Sequence, residues 1–214
     1  MPSFRTRRVV EIARQASDVE TWGDKNDEIR NQIPVDDYCR DAVARRPGAG
    51  VLYAQGKDKY ALKVPGGLAF SEFKGYESWQ AVSVSQNERA MALIVGNPAM
   101  IEAYQAGIPA NGKPVPDGAK MAKIHWTPKK SDYPGNPTVP ATQHDVDFMM
   151  KDSKRFADGG GWGYAAFEYD AATDTFRPAT TADSPPQAND AKCGVACHTI
   201  AKSRDYVFTE FQHR

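Results

Sequence analysis

The sequence has few cysteines, no excess charge of either sign and no long apolar run. Three of its 214 residues are cysteine, an odd and low count that argues against a disulfide scaffold. Lys+Arg and Asp+Glu both total 27, so the formal net charge is zero. This balance argues against electrostatic binding to nucleic acid or to an anionic membrane surface. The longest apolar runs, such as MALIVG at 91–96, are far shorter than the roughly 20 residues needed to span a bilayer.

The first residues, MPSFRTRRVVEIARQ, carry positive charge but no apolar stretch after it. As written, this stretch is not a secretory signal peptide. Either the protein stays in the cytoplasm or the sequence starts after an export segment.

The apolar pattern divides the chain into a helical beginning and a strand-rich remainder. VVEIARQASDVETW has helical spacing, a second helix is expected around Cys39, and PGAG at 47–50 ends the pattern. Cys39 is interpreted as an ordinary thiol. We predict an N-terminal helical extension over residues 1–50 and a domain over 51–214.

Short strand-like runs separated by turn residues follow. The expected strands lie in 78–86, 89–96, 114–126, the segment VDFMMKDS and the segment GWGYAAFEYD. One short helix is expected over 97–107, with Asn97 as N-cap, Pro98 at its first position and Gly107 as its stop. A loop is expected over 128–140, a linker over 177–190 and a short strand at Tyr206 and Phe208. The predicted fold is mainly β (α+β): an antiparallel sheet with a few short helices, including one at each end of the chain.

The stretch KCGVACHTI, residues 192–200, carries the most specific chemistry. Two thiols joined to the vinyl groups of a haem, followed at once by a histidine that ligates the iron, are the pattern of c-type haem attachment. Cys193, Cys197 and His198 provide these groups. The usual gap between the cysteines is two residues, whereas three small or apolar residues separate them here.

Other interpretations of this motif remain open at this point. A Cys193–Cys197 disulfide is geometrically conceivable but leaves His198 without a role. A zinc site needs about four ligands, and His125, His144 and His213 are scattered along the chain. A redox pair of the C-x-x-C kind has a different spacing.

Further stretches resemble the cytochrome P-460 family of c-type haem proteins. They are GYESWQAVSVS (75–85), GNPAMIEAYQAGIPANGKPVPDGAKMAKIHW (96–126), KDSKRFADGGGWGYAAFEYD (151–170) and KCGVACHTIAKSRDYVFTEF (192–211). KDSKRFA, and the cysteine motif followed by D-x-VFT, are the most specific parts. The resemblance covers about residues 65–211 and leaves the N-terminal residues without an assigned role.

This resemblance implies a mainly β homodimer with one haem c in each subunit and a five-coordinate iron. Cys193 and Cys197 would anchor the haem, and His198 would be the proximal iron ligand. The best-studied members also carry a lysine bonded to the porphyrin rim, five residues beyond the glycine of a D-G turn, and Lys123 stands at that position. From strand alternation alone, Lys123 shares a face with Met121 and His125 and reads equally well as a solvent-facing lysine.

The resemblance further points to an acidic residue a few positions before KDSKRF as a proton acceptor beside the iron. Asp147 matches it, and alternation puts Asp147 on one strand face with Met149 and Lys151. Burial there would raise the pKa of the Asp147 carboxyl and make it a usable base. A solvated aspartate on the strand is the alternative interpretation.

Three functions are compatible with these features. The first is oxidation of hydroxylamine at the open iron site, with electrons passed to an external acceptor such as another cytochrome. The second is capture of nitric oxide without turnover, as in the related cytochrome c′-β proteins. The third is simple electron transfer, which needs a sixth iron ligand such as Met149, Met150 or His144. Covalent haem attachment takes place outside the bacterial cytoplasmic membrane, so the resemblance implies a periplasmic protein.

Overall fold

The computed structural model of the chain describes residues 58–64, 67–179 and 189–212. The predicted helical extension over residues 1–50 and Cys39 lie outside these residues, and the division into two domains stays a prediction. No helix in the described part of the chain is long and apolar enough to cross a membrane.

The described part is organised around a six-stranded sheet in which every strand pairs antiparallel with the next strand in sequence. The strands are β1 (Gln80–Gln86), β2 (Met91–Gly96), β3 (Lys120–Lys130), β4 (Thr138–Lys151), β5 (Trp162–Asp170) and β6 (Thr175–Pro178). Two α-helices accompany them, α1 (Pro98–Gln105) and α2 (Asn189–His198). The predicted mainly β fold with short helices is confirmed.

Helix α1 begins and ends where its sequence predicts. The Asn97 side chain accepts a hydrogen bond from the Met100 amide at 3.1 Å, and Pro98 is the first helical residue. The same Asn97 oxygen accepts from the Lys120 amide at 2.9 Å, which ties the start of α1 to the start of β3. Gly107 has a φ of +78°, a conformation that few residues other than glycine adopt at low cost.

The loop predicted over 128–140 is wrong at both ends, because β3 runs to Lys130 and β4 begins at Thr138, which leaves a loop over 131–137. Pro128 and Pro140 face each other within this hairpin. The partner strands β2 and β5 reach only as far as Trp126 and Asp145. Neither β2 nor β5 extends alongside these prolines, so no hydrogen bond to an outer strand is lost because proline has no amide hydrogen.

The linker predicted over 177–190 is also wrong at its start, because the short strand β6 runs to Pro178. Four residues after the Thr173–Asp174 turn are too few for an alternating pattern to show in the sequence.

Buried side chains form two clusters, one on each face of the sheet. On the first face, Phe148 of β4 stacks on Phe73 with ring centroids 4.1 Å apart and packs edge-on against Phe70. Phe70 and Phe73 are the first and last residues of a short 3-10 helix that covers this face. On the second face, Met121 and Met149 pack with α1 and with the chain that follows α2. The candidate site lies on this second face.

Candidate functional site

A cavity opens between the second face of the sheet and the chain at the end of α2; together with its open mouth it encloses about 630 Å³ of empty space. Lys123, Asp147 and His198, three of the residues predicted from sequence, all line it. The fold thus brings together residues from β3, β4 and α2 that are far apart in the chain.

Lys123 and Asp147 are direct neighbours across the β3–β4 pair. Burial raises the pKa of the Asp147 carboxyl above its ordinary value, and the Asp145 charge adds to this rise while His125 and Lys123 oppose it. Half of the Asp147 side-chain surface (50%) is open. Since Asp147 lines the cavity, we interpret that open surface as the part that faces the cavity. The arrangement gives the cavity a carboxylate with enhanced affinity for a proton.

His198, the last residue of α2, is held in one tautomer. Its Nδ1 lies 2.6 Å from the backbone carbonyl oxygen of Tyr206. A carbonyl oxygen only accepts, so Nδ1 carries the hydrogen and Nε2 keeps the lone pair. Burial lowers the pKa of His198, an effect that the hydrogen bond to Tyr206 only partly opposes. A neutral imidazole, oriented through its other nitrogen by a carbonyl group, is the form in which histidine ligates metals.

Aromatic rings surround His198. The Tyr164 ring centroid lies 5.0 Å from that of His198, and the Phe208 ring centroid lies 4.9 Å away. The Tyr164 hydroxyl is buried, and no hydrogen-bond partner for it exists among the described residues. A buried polar atom of this kind usually hydrogen-bonds a water, an ion or a group of a bound ligand. The cavity therefore combines aromatic walls with a buried hydroxyl that a bound group could satisfy.

Gly194 allows α2 to approach the sheet. A Cβ atom at this position would lie 2.4 Å from the Tyr164 ring, well inside contact distance. The three-residue gap between the cysteines therefore contains a glycine that the packing of α2 on β5 requires.

The two most specific sequence segments meet next to His198. Lys151, the first residue of KDSKRF, is buried, and its ammonium lies 2.8 and 2.9 Å from the two carboxylate oxygens of Asp205, the first residue of the D-x-VFT segment. Asp205 also accepts from the Val115 amide at 2.8 Å, and the Trp162 indole donates to the Asp205 carbonyl oxygen at 2.8 Å. These bonds fix the position of the turn that carries the Tyr206 carbonyl.

The turn itself corrects the prediction for this part of the chain. A short strand is expected around Tyr206 and Phe208, but Asp205 and Tyr206 adopt φ angles of +49° and +64°, and residues 207–212 form no regular element. A strand would have pointed the carbonyl of Tyr206 towards a neighbouring strand. The left-handed turn directs it at His198 instead.

Of the two cysteines predicted to anchor the cofactor, the structure describes the side chain of Cys197 but not that of Cys193. Cys197 is half-buried directly before His198. Cys193 belongs to the same helix, but its side chain lies outside the described part of the chain.

Sequence reasoning missed that Tyr164 lines the cavity; its side chain also belongs to the buried cluster on the second face of the sheet. Among the candidate sixth ligands, Met149 lines the cavity, Met150 packs on the opposite face, and His144 hydrogen-bonds Asp145 at 2.7 Å. Strand alternation could have placed Tyr164 on the same sheet face as Trp162, two residues earlier. The local sequence does not show that α2 packs against this face.

The antiparallel sheet and the pocket at the end of α2 define a class: a β-sheet protein with a cavity in which one oriented histidine nitrogen is available to ligate a metal. The sequence profile of the cytochrome P-460 family matches residues 73–209, well over half of the chain. The chain therefore belongs to the cytochrome P-460 family, and membership implies a haem cofactor. A comparison with curated proteins gives no match.

Proposed function

We propose that the protein holds a covalently attached haem c and oxidises hydroxylamine, passing the electrons to an external acceptor such as another cytochrome. The observation that carries this proposal is the meeting of Lys123, Asp147 and His198 in one cavity. The proposal places the protein in the periplasm, where haem c is attached, and includes assembly as a homodimer.

Four residues would hold the cofactor. Cys193 and Cys197 would form the thioether bonds, and His198 would ligate the iron through Nε2, the nitrogen that its bond to Tyr206 leaves available. Lys123 would bond to the porphyrin rim. When bound, the haem supplies an open coordination position and the means to carry electrons.

Asp147 would accept the protons that hydroxylamine loses as it is oxidised. A general base works best when its pKa is close to the operating pH, and the raised pKa of Asp147 moves it in that direction. The neighbouring Lys123 lies on the adjacent strand, directly across from Asp147. A cross-link through Lys123 would thus fix the porphyrin edge beside the proton acceptor.

Nitric oxide binding without turnover is the second candidate. Ile94, Met121 and Met149 give much of the cavity an apolar wall, which favours capture of a small uncharged gas. The two functions differ in what they require from Lys123, because a modified porphyrin favours hydroxylamine oxidation and an unmodified one favours nitric oxide binding.

Replacement of Lys123 tests the proposal. We expect Lys123→Ala to keep its thioether-linked haem but to lose hydroxylamine-dependent reduction of a redox dye, because the porphyrin is no longer modified. The matched control is Lys129→Ala, which removes an exposed lysine of the same strand and should leave turnover unchanged. Equal turnover of Lys123→Ala and the wild type would contradict the role given to Lys123.

A further inference from the structure

A cluster of potential metal ligands lies on the face of the sheet that lines the cavity. His125 of β3 and Asp145 and Asp147 of β4 each offer one ligand atom, and these atoms all lie within 4.8 Å of one another. The Nδ1 of His125 contacts a carboxylate oxygen of Asp145 and lies 3.8 Å from a carboxylate oxygen of Asp147. None of these contacts is part of the cofactor attachment described above.

Two carboxylates converge on one imidazole nitrogen in this cluster. A ring nitrogen carries a single hydrogen and can satisfy only one of them well. The other carboxylate stays close to the first: burial and then the Asp145 charge raise the pKa of Asp147, while the charges of His125, Lys123 and His144 oppose this rise. A cation placed between the three ligand atoms would remove this repulsion.

We propose that His125, Asp145 and Asp147 bind a divalent first-row transition-metal ion of the zinc type. One imidazole nitrogen with two carboxylate oxygens suits such an ion better than Mg²⁺ or Ca²⁺, which prefer oxygen ligands alone. Zinc–ligand distances of about 2.0–2.2 Å require ligand atoms roughly 3–4 Å apart. Modest side-chain rotations close the remaining separation.

His144 strengthens this assignment from outside the ligand set. Its Nδ1 lies 2.7 Å from the second carboxylate oxygen of Asp145, and its ring stacks on that of His125 with an interplanar angle of 6°. Metal-ligating carboxylates commonly have an outer hydrogen-bond donor that orients them. The extra residue that places His144 here comes from the irregular register of β3 and β4 between His125 and Trp126.

The site would keep an open position. Three protein ligands leave room for water or a small ligand, and Asp147 is also part of the cavity wall. Lys123 opposes a cation here when its amine is charged, as its effect on the pKa of Asp147 shows. In the proposed function that amine is bonded to the porphyrin. If Asp147 is also the proton acceptor, which rests on the proposed function, the bound ion would inhibit turnover.

Isothermal titration of the haem-containing protein with Zn²⁺ tests the site without reference to turnover. We expect the double variant His125→Gln/Asp145→Asn to bind one Zn²⁺ fewer than the wild type. His144→Gln should keep the site but bind roughly 10–100-fold more weakly. Asp132→Asn, which neutralises an exposed aspartate in the β3–β4 turn, should bind as the wild type does.

Zinc bound elsewhere, for instance at Cys39 or His213, is common to all variants and cancels in the difference. An unchanged haem spectrum in the double variant shows that its fold is intact. Equal stoichiometry and affinity in the double variant and the wild type would overturn the site, as would a wild type that binds no Zn²⁺. The zinc titration does not depend on hydroxylamine turnover. If the protein does not oxidise hydroxylamine, the expected zinc binding of the wild type and of the double variant stays the same.

Discussion

Lys151→Met should lower the free energy of unfolding by about 3–5 kcal/mol, because it leaves the Asp205 carboxylate buried without its charged partner. Lys151 and Asp205 expose only 6% and 14% of their side chains, so water cannot replace the lost interaction. Urea denaturation of the haem-containing protein measures the change. A loss below about 1 kcal/mol would place this ion pair among ordinary surface pairs and would contradict its structural role.

The matched control is Arg177→Met, which removes one partner of the exposed pair between Arg177 and Glu168. Here the expected loss is about 0–1 kcal/mol, since both groups remain solvated. The double variant Lys151→Met/Asp205→Leu provides a second check. Its loss should be smaller than the sum of the two single losses, because no unpaired charge stays buried.

The Lys151–Asp205 pair also connects stability with the site. Asp205 directly precedes Tyr206, whose carbonyl oxygen accepts from Nδ1 of His198. A change at Lys151 is therefore expected to disturb the orientation of His198 although Lys151 does not ligate the cofactor. This ion pair explains why the two most specific sequence segments occur together: KDSKRF supplies Lys151 and the D-x-VFT segment supplies Asp205.

Asp147→Asn should lower hydroxylamine turnover by about 100- to 10,000-fold, the range typical of a lost general base. An amide of similar size keeps the shape of the cavity wall but cannot accept a proton at neutral pH. The haem spectrum should stay unchanged, since Asp147 is not among the residues that would hold the cofactor. Steady-state turnover with a redox dye measures the effect.

Asp132→Asn is the control for this change in charge, and its turnover should equal that of the wild type. An Asp147→Asn variant with wild-type turnover would show that hydroxylamine loses its protons to water or to another group. If Asp147→Asn loses turnover but still binds nitric oxide, Asp147 is needed to accept protons and is not needed to bind a ligand at the iron.

Much of the sheet could be predicted because its strands alternate and its turns carry strong local signals. The alternation of Asp147, Phe148, Met149 and Met150 assigns each side chain to the correct face. Asn97 and Gly107 mark the ends of α1 for reasons that act within a few residues. The cysteine motif likewise predicts His198 from local spacing.

What could not be predicted depends on contacts between distant parts of the chain. The left-handed turn at Asp205 and Tyr206 exists because Lys151 and Trp162 hold it, and neither lies near it in sequence. The cluster of His125 with Asp145 and Asp147 needs the register of β3 against β4, which a single sequence does not provide. Tyr164 similarly becomes part of the cavity only because α2 packs against β5.

The most direct test of the central claim is an absorption spectrum of the purified protein, first oxidised and then reduced, with a pyridine haemochrome assay on the same sample. The protein should come from a host that can attach haem c. We predict one thioether-linked haem with a strongly red-shifted, broadened Soret band in the reduced state, the mark of a porphyrin modified by Lys123. An ordinary five-coordinate haem c spectrum would contradict the cross-link and make nitric oxide binding the leading function. Protein without haem would contradict the account as a whole.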